Sequence, residues 1–278
     1  LKDNRSYHIK TRKAINTDPY IYNFLVKSYM GGYTHANWKY ADRILKNVDS
    51  WDLSSSYPAV IVLEKYPMSK FQKINLSSHK YMSSAYAYLL HVKFYNLECQ
   101  YLNTFISKSK IINGIEIDDD NGRIIRCKEC EMYLTDIDFK LYLKTYYESE
   151  DSAEYEILEA YSSKYEYLPI DLVNFVLYKY IDKTQLKGIE VREVEYLHKK
   201  SDFNAIYGMM CTNTIRDEVI YNETLQKWND KERHLSNYEI IENLEKIEKK
   251  SFLSFAWGVW VTAYARSQNL LQTLVQLD

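Results

Sequence analysis

The period of the apolar residues changes along this chain, and that change restricts its fold more than any other feature. In the middle third, Leu90, Val92 and Phe94 interleave with His91, Lys93 and Tyr95, which is the two-residue period of a strand with one buried face. Ile115 and Ile117 precede Asn121-Gly122, and Ile124 and Ile125 follow it. Asn-Gly tolerates the positive φ of a tight turn, so this stretch reads as a hairpin. From Ile170 the period becomes helical. One helix is predicted over 170–187, stopped by Gly188, and a second over 191–207, stopped by Gly208. Their short glycine turn makes them a helical hairpin. Strand patterns followed by helical ones predict an α+β fold.

Other elements are marked by their ends. Asp18-Pro19 reads as a helix start after a basic opening segment. A strand is predicted over 46–52, then a polar turn at Ser54-Ser55-Ser56, then a short helix led by Pro58 as far as Leu63. Thr135 with Asp138 forms a capping pattern for a helix reaching about Tyr147. A strand over 218–221, a charged amphipathic helix over 238–249 and a long helix over 259–277 complete the reading.

With 278 residues, 46% of them hydrophobic, a buried core is expected. The longest apolar stretches, such as Phe255 to Ala265, are too interrupted to span a membrane. Leu1 and the polar Lys2 to Arg5 do not form a secretory signal, so the chain reads as starting inside a longer one. Four cysteines without dense spacing argue for a reducing compartment, with the cytoplasm as the default. Cys127 and Cys130 have the spacing of half a zinc knuckle, but no second close pair exists and a structural role is expected. Lys and Arg (36) nearly balance Asp and Glu (38), so any nucleic-acid surface must be local. The 28 tyrosines could stack on bases or simply fill the core. His198 is expected at the surface, and Asp118 to Asp120 in a hairpin turn.

Two runs carry chemistry. Asp52-Leu53-Ser54-Ser55-Ser56-Tyr57-Pro58 sets a carboxylate at a strand end, a rigid place from which to hold a hard cation, with an aromatic ring just after it. In Lys200-Ser201-Asp202-Phe203-Asn204-Ala205-Ile206-Tyr207-Gly208, helical spacing puts Lys200, Asn204 and Tyr207 on one face. A lysine there suits a triphosphate, and Asn and Tyr offer hydrogen bonds and a planar surface to a base or sugar. Lys179, Lys183 and Lys187 recur every four residues on the preceding helix. That stripe reads equally as a cationic seat or a solvated face.

The first run resembles motif A, and the second motif B, of family B DNA polymerases. Thr262-Ala263-Tyr264-Ala265-Arg266 resembles the Thr-x-x-Ala-Arg element of the protein-primed phage members. Tyr29-Met30-Gly31-Gly32 resembles their Tyr-x-Gly-Gly template-binding loop. The four occur in the family's order and together cover essentially the whole chain. Two positions depart from the usual pattern: Ser56 stands for an apolar residue and Ala205 for a serine.

The resemblance implies a polymerase palm with a helical fingers insertion. Residues 1–45 would carry the template loop, 46–165 the first part of the palm with an insertion, 166–212 the fingers, and 213–278 the second part of the palm with another insertion. It implies nucleotidyl transfer from a dNTP to a primer 3′-hydroxyl. Asp52 would hold two Mg²⁺ ions, and Lys200 would neutralise the leaving pyrophosphate. Ser55, Tyr57, Lys183, Lys187, Lys200, Asn204 and Tyr207 would bind nucleotide, with Tyr57 excluding a ribose 2′-hydroxyl. Tyr29, Gly31, Gly32, Thr262 and Arg266 would contact DNA. Expected partners are primer-template DNA, a dNTP, a terminal protein primer and a separate C-terminal polymerase polypeptide, because the family's Tyr-x-Asp-Thr-Asp hairpin is expected just beyond Asp278. The host would be a bacterium carrying a phage or prophage. The rival reading is a non-catalytic DNA-binding module derived from a polymerase.

Overall fold

The computed structural model describes residues 18–34, 40, 42–49, 53, 55–101, 103–212, 215, 221–228, 235–250 and 253–275. Its centre is an antiparallel sheet. Strands β1 (Lys65–Pro67), β2 (Gln72–Ile74), β3 (Tyr86–Glu98), β4 (Ile112–Asp120), β5 (Arg123–Thr135) and β6 (Tyr155–Tyr167) are ordered β1-β6-β3-β5-β4, and β2 also pairs with β6. In the paired register Leu90 faces Leu134 on β5 and Ala160 on β6. The hairpin predicted at Asn121-Gly122 joins β4 to β5, with both residues at positive φ (47° and 79°) as a type I′ turn requires. Asp118 to Asp120 lie in the end of β4 rather than in the turn, and Asp119 accepts from Gly122 N and pairs with Lys108.

Alternation along β3 divides the core in two. Ala87 and Leu89 face one cluster, and Tyr88, Leu90, Val92 and Phe94 face the other. Asn96 at φ 52° shifts the alternation by one, so that Leu97 joins the second cluster opposite Cys127. Cys127 and Cys130 are both buried there as sheet residues. Helix α1 (Pro19–Ser28), capped by Asp18 accepting from Ile21 N at 2.9 Å, lies on the first face. After α2 (Ser56–Leu63) and the strands, α3 (Asp136–Tyr146) returns over the second face, its first turn capped as predicted by Thr135 accepting from Asp138 N.

The helical hairpin comprises α4 (Ile170–Thr184) and α5 (Glu193–Met210). Gly188 at φ 83° lies in the turn as predicted. Gly208 does not stop the second helix, because α5 runs through it to Met210 and a lone glycine weakens a helix without ending it. The pair β7 (Tyr221–Asn222) and β8 (Lys227–Trp228) and the helix α6 (Asn237–Lys250) follow, and then α7 (Phe255–Val275). The last begins four residues earlier than the sequence pattern suggested. Residues 46–49 take no strand, and 50–52 lie outside the described residues. Among the described residues no helix is long and apolar enough to cross a membrane.

Helix α7 is the spine: it packs on α1, α2, α3 and α5, with Trp257 and Trp260 fully buried. Each indole is anchored. Trp257 donates to Pro67 O at 3.2 Å, and Trp260 donates to Tyr165 Oη at 2.6 Å and to Asp136 Oδ1 at 3.2 Å. Tyr165 in turn donates to both oxygens of Asp136, at 2.9 Å each.

Burial pushes the Asp136 carboxyl up to about 6, although Lys140, Tyr165, Tyr88 N and Trp260 oppose the rise. The folded protein therefore holds this proton to higher pH than the unfolded chain does, and stability falls as pH rises from about 4 to about 6. Moving from 3.8 to about 6 corresponds to about 3 kcal/mol. Asp136→Asn, neutral at every pH, is expected to gain on the parent by about that amount across the window and to hold the gain above it. Denaturant titrations at a series of pH values would measure this, and a pH-independent difference would remove Asp136 as the cause.

Candidate functional site

The stretch after α1, the start of α2 and the inner ends of α4 and α5 meet at one place. Ser55 precedes α2 in the left-handed conformation (φ 59°, ψ 44°), strained for a residue with a side chain. Its hydroxyl accepts from Lys183 Nζ at 2.9 Å. Lys183 is 9% exposed and also lies 4.9 Å from the ring centre of Phe203 and 5.3 Å from that of Tyr180. Burial lowers its pKa first, and the charges of Lys200 and Lys187 lower it further. The charges of Lys187 and Lys200 are thus felt at Lys183. Lys187 and Lys200 are exposed, as is Asn204.

One turn past Asn204, Tyr207 lies face to face with Tyr57, with ring centres 3.9 Å apart and planes within 2°. Motif-like residues about 150 positions apart in sequence thus form one wall. Burial, then Cys211 and Tyr29, push the Tyr207 hydroxyl well up, and burial pushes the Cys211 thiol to about 11. Tyr29 is half-buried beside them and leans on Phe255 at 5.9 Å. Gly31 and Gly32 are exposed, and a Cβ on Gly32 would stand 3.0 Å from Tyr57 Oη. A larger residue at position 32 would press on that ring, and a glycine avoids the contact.

Asp52 and Ser54 lie outside the described residues. Among the described residues no group of three His, Cys, Asp or Glu side chains converges as a metal site. Ser56 Oγ is buried without a hydrogen-bond partner, which fits a position where the resemblance expects an apolar side chain.

Thr262 and Arg266 are not at an open surface. Thr262 is fully buried and its hydroxyl donates to Val259 O at 2.8 Å and Gly258 O at 3.2 Å. Arg266, 7% exposed, forms a forked pair with Asp138 (Nη2 to Oδ1 2.8 Å and to Oδ2 2.9 Å) and donates to the carbonyls of Met30 and Gly31. Arg266 thus ties α7 to the 30–31 carbonyls, whereas the Thr262 hydroxyl is satisfied within α7 itself. A buried guanidinium needs a fixed carboxylate, and Asp138 supplies one.

Sequence reasoning missed Phe203 beneath Lys183, Cys211 beside Tyr207, and Asp138, read only as a cap. His198 is exposed as predicted. Lys179 faces Asp202 at 3.9 Å rather than the lysine cluster.

A second glycine fixes how α5 meets the spine. A Cβ on Gly258 would stand 2.7 Å from Met210 O and 2.8 Å from Cys211 Sγ. Gly258→Ala gains about 1 kcal/mol of helix propensity but must push back the end of α5, a backbone displacement costing about 1–3 kcal/mol. We expect net destabilisation in thermal unfolding. A raised midpoint would show that α5 yields freely.

The architecture is similar to part of a solved DNA polymerase. Over 95% of this chain, the solved structure of phi29 DNA polymerase with primer-template DNA and incoming nucleotide superposes with a TM-score of 0.65 at 16% identity. The orthorhombic crystal form of phi29 DNA polymerase gives 0.62 at 17% identity, also over 95%, and the complex with single-stranded DNA gives 0.59 at 15%. The chain spans 42% of the length of the first two and 41% of the third. No family profile and no curated protein sequence matches it.

Proposed function

We propose that this chain is the nucleotide- and template-binding portion of a family B DNA polymerase of the protein-primed phage type. The observation that carries this reading is the face-to-face stack of Tyr57 on Tyr207, with Lys183 held on Ser55 two residues before Tyr57. A nearly buried ammonium whose pKa is lowered by burial and by the charges of Lys200 and Lys187 suits a polyanion, and a planar pair of rings near it suits a sugar and base.

In this reading α4 and α5 are the fingers and the sheet around β3 is an insertion in the palm. Lys183 and Lys200 hold the triphosphate, Lys187 adds charge at the rim, and Asn204 hydrogen-bonds the nucleotide. Ser55 positions Lys183 until the phosphate replaces it as the partner. Tyr57 fills the volume a ribose 2′-hydroxyl needs, and Tyr207 backs it. Tyr29, Gly31 and Gly32 receive the template strand. Asp52 supplies a ligand to two Mg²⁺ ions, which when bound stabilise the attacking and leaving oxygens; the described residues offer no complete donor set. Primer-template DNA and a dNTP are the ligands, with a terminal protein and a C-terminal polymerase polypeptide as protein partners, in the cytoplasm of a bacterial host.

Calorimetric titration of a dNTP into this chain with primer-template DNA and Mg²⁺ tests the reading. Binding is expected, competed by inorganic triphosphate, and discrimination against the matching ribonucleotide should be lost in Tyr57→Ala but largely kept in Tyr57→Phe. DNA binding without dNTP binding would instead favour a non-catalytic module.

A further inference from the structure

Residues 29–34 form no helix or strand, yet carbonyls of 27–34 are engaged by cations from distant elements. Arg266 on α7 donates to Met30 O and, at 2.8 Å, to Gly31 O. Arg123, which opens β5, donates to Thr34 O at 3.0 Å and Phe105 O at 3.3 Å, with its guanidinium 4.9 Å from the ring centre of Tyr33. Lys110 Nζ makes a long contact of 3.5 Å to Lys27 O.

Arg266 is itself aimed by Asp138, whose oxygens take Nε and Nη2. The carboxylate cannot swing, because Thr135 Oγ1 donates to its Oδ2 at 2.9 Å and its own amide is the capped one. Only the Nη1 edge of the guanidinium is left, and both loop carbonyls lie on it. A planar five-donor fork can serve a carboxylate and a carbonyl pair at once, and a lysine cannot.

We propose that Asp138 and Arg123 are positioning residues for the 29–34 loop. Asp138 sets the Arg266 fork that grips Met30 and Gly31, and Arg123 grips Thr34, so that the sheet unit from β3 to β6 with α3 dictates where the loop meets a nucleic-acid strand. The loop position is relayed to the Tyr57–Tyr207 wall, since a Cβ on Gly32 would stand only 3.0 Å from Tyr57 Oη. The proposal rests on the polymerase reading only for the identity of the strand.

The test measures amide hydrogen exchange and primer-template affinity in the parent, Arg266→Lys, Arg123→Gln and the double variant Asp138→Leu/Arg266→Met. Arg266→Lys keeps a cation beside Asp138 and loses the second edge. The double variant removes both buried charges, which a core tolerates far better than removing one. Expected are at least about tenfold faster exchange at amides 30–34, unchanged exchange in β3 and β5, and about tenfold weaker DNA binding. Loop exchange as slow as the parent's in both Arg266→Lys and the double variant would overturn the clamp. So would fast exchange throughout the sheet in both, because the pair would then be a core strut. If the parent binds no primer-template DNA, the polymerase reading fails while the exchange data still decide the clamp.

Discussion

Replacing Lys183 with methionine is expected to leave the fold as stable as the parent or slightly more so, while weakening dNTP binding about 10–100-fold. The opposition follows from where the ammonium sits. It is nearly buried over Phe203 and close to two other lysines, and burial and those charges lower its pKa. A methionine of similar length keeps the packing and removes the nearly buried charge. It loses the Ser55 hydrogen bond and the ring contacts, each worth about 1 kcal/mol, so stability should change little. A triphosphate, however, loses a donor already aimed and partly dehydrated. Thermal midpoints with and without dNTP read both effects, because the shift a ligand produces shrinks with its affinity. Lys187→Met, at an exposed position, should lose much less. Undiminished dNTP affinity in Lys183→Met would remove that lysine from the site.

Trp260→Ala is expected to be the most damaging single truncation, costing about 3–5 kcal/mol. The indole is fully buried on the spine helix and 5.9 Å from Phe71. Its loss empties a large volume that the sheet on one side and α7 on the other cannot fill. It also removes a donor from the buried Asp136 and the half-buried Tyr165. Trp260→Phe separates the two effects: packing is largely kept, and the lost N–H alone should cost about 1–2 kcal/mol. Denaturant midpoints of the two variants give the comparison, and equal losses would show that packing contributes little here. Because α7 also carries Gly258 and Arg266, the alanine variant should loosen the loop and the tyrosine wall even where it remains folded.

Some of the helix and hairpin boundaries were legible in the sequence because they are set by local chemistry. Asp18 before Pro19, Thr135 with Asp138, Asn121-Gly122 and Gly188 each settle the backbone within a few residues, and each occupies the place its chemistry requires. β6 was not legible. Tyr155–Tyr167 has few aliphatic residues and no strict alternation, and becomes a strand because β3 pairs along one side and β1 and β2 along the other. Gly208 misled for the opposite reason, since a glycine that can end a helix need not do so when Met210 beyond it is pulled into the core beside Trp257 and Val259.

The sequence by itself determined which residues are candidates: the run around Tyr57, the Lys200 to Tyr207 face, the lysine stripe and the double glycine. Spacing along a single helix or turn is enough to place such groups on a common face. Only the tertiary structure decided their partners. It stacked Tyr57 on Tyr207, brought Lys183 to Ser55, and turned Arg266 inward to Asp138, 128 positions away. Periodicity says that a side chain is turned inward or outward, but a buried arginine and an exposed one share the same helical position until the neighbouring element arrives. Which carboxylate meets it depends on how α3 and α7 cross, and that is a property of the packed core.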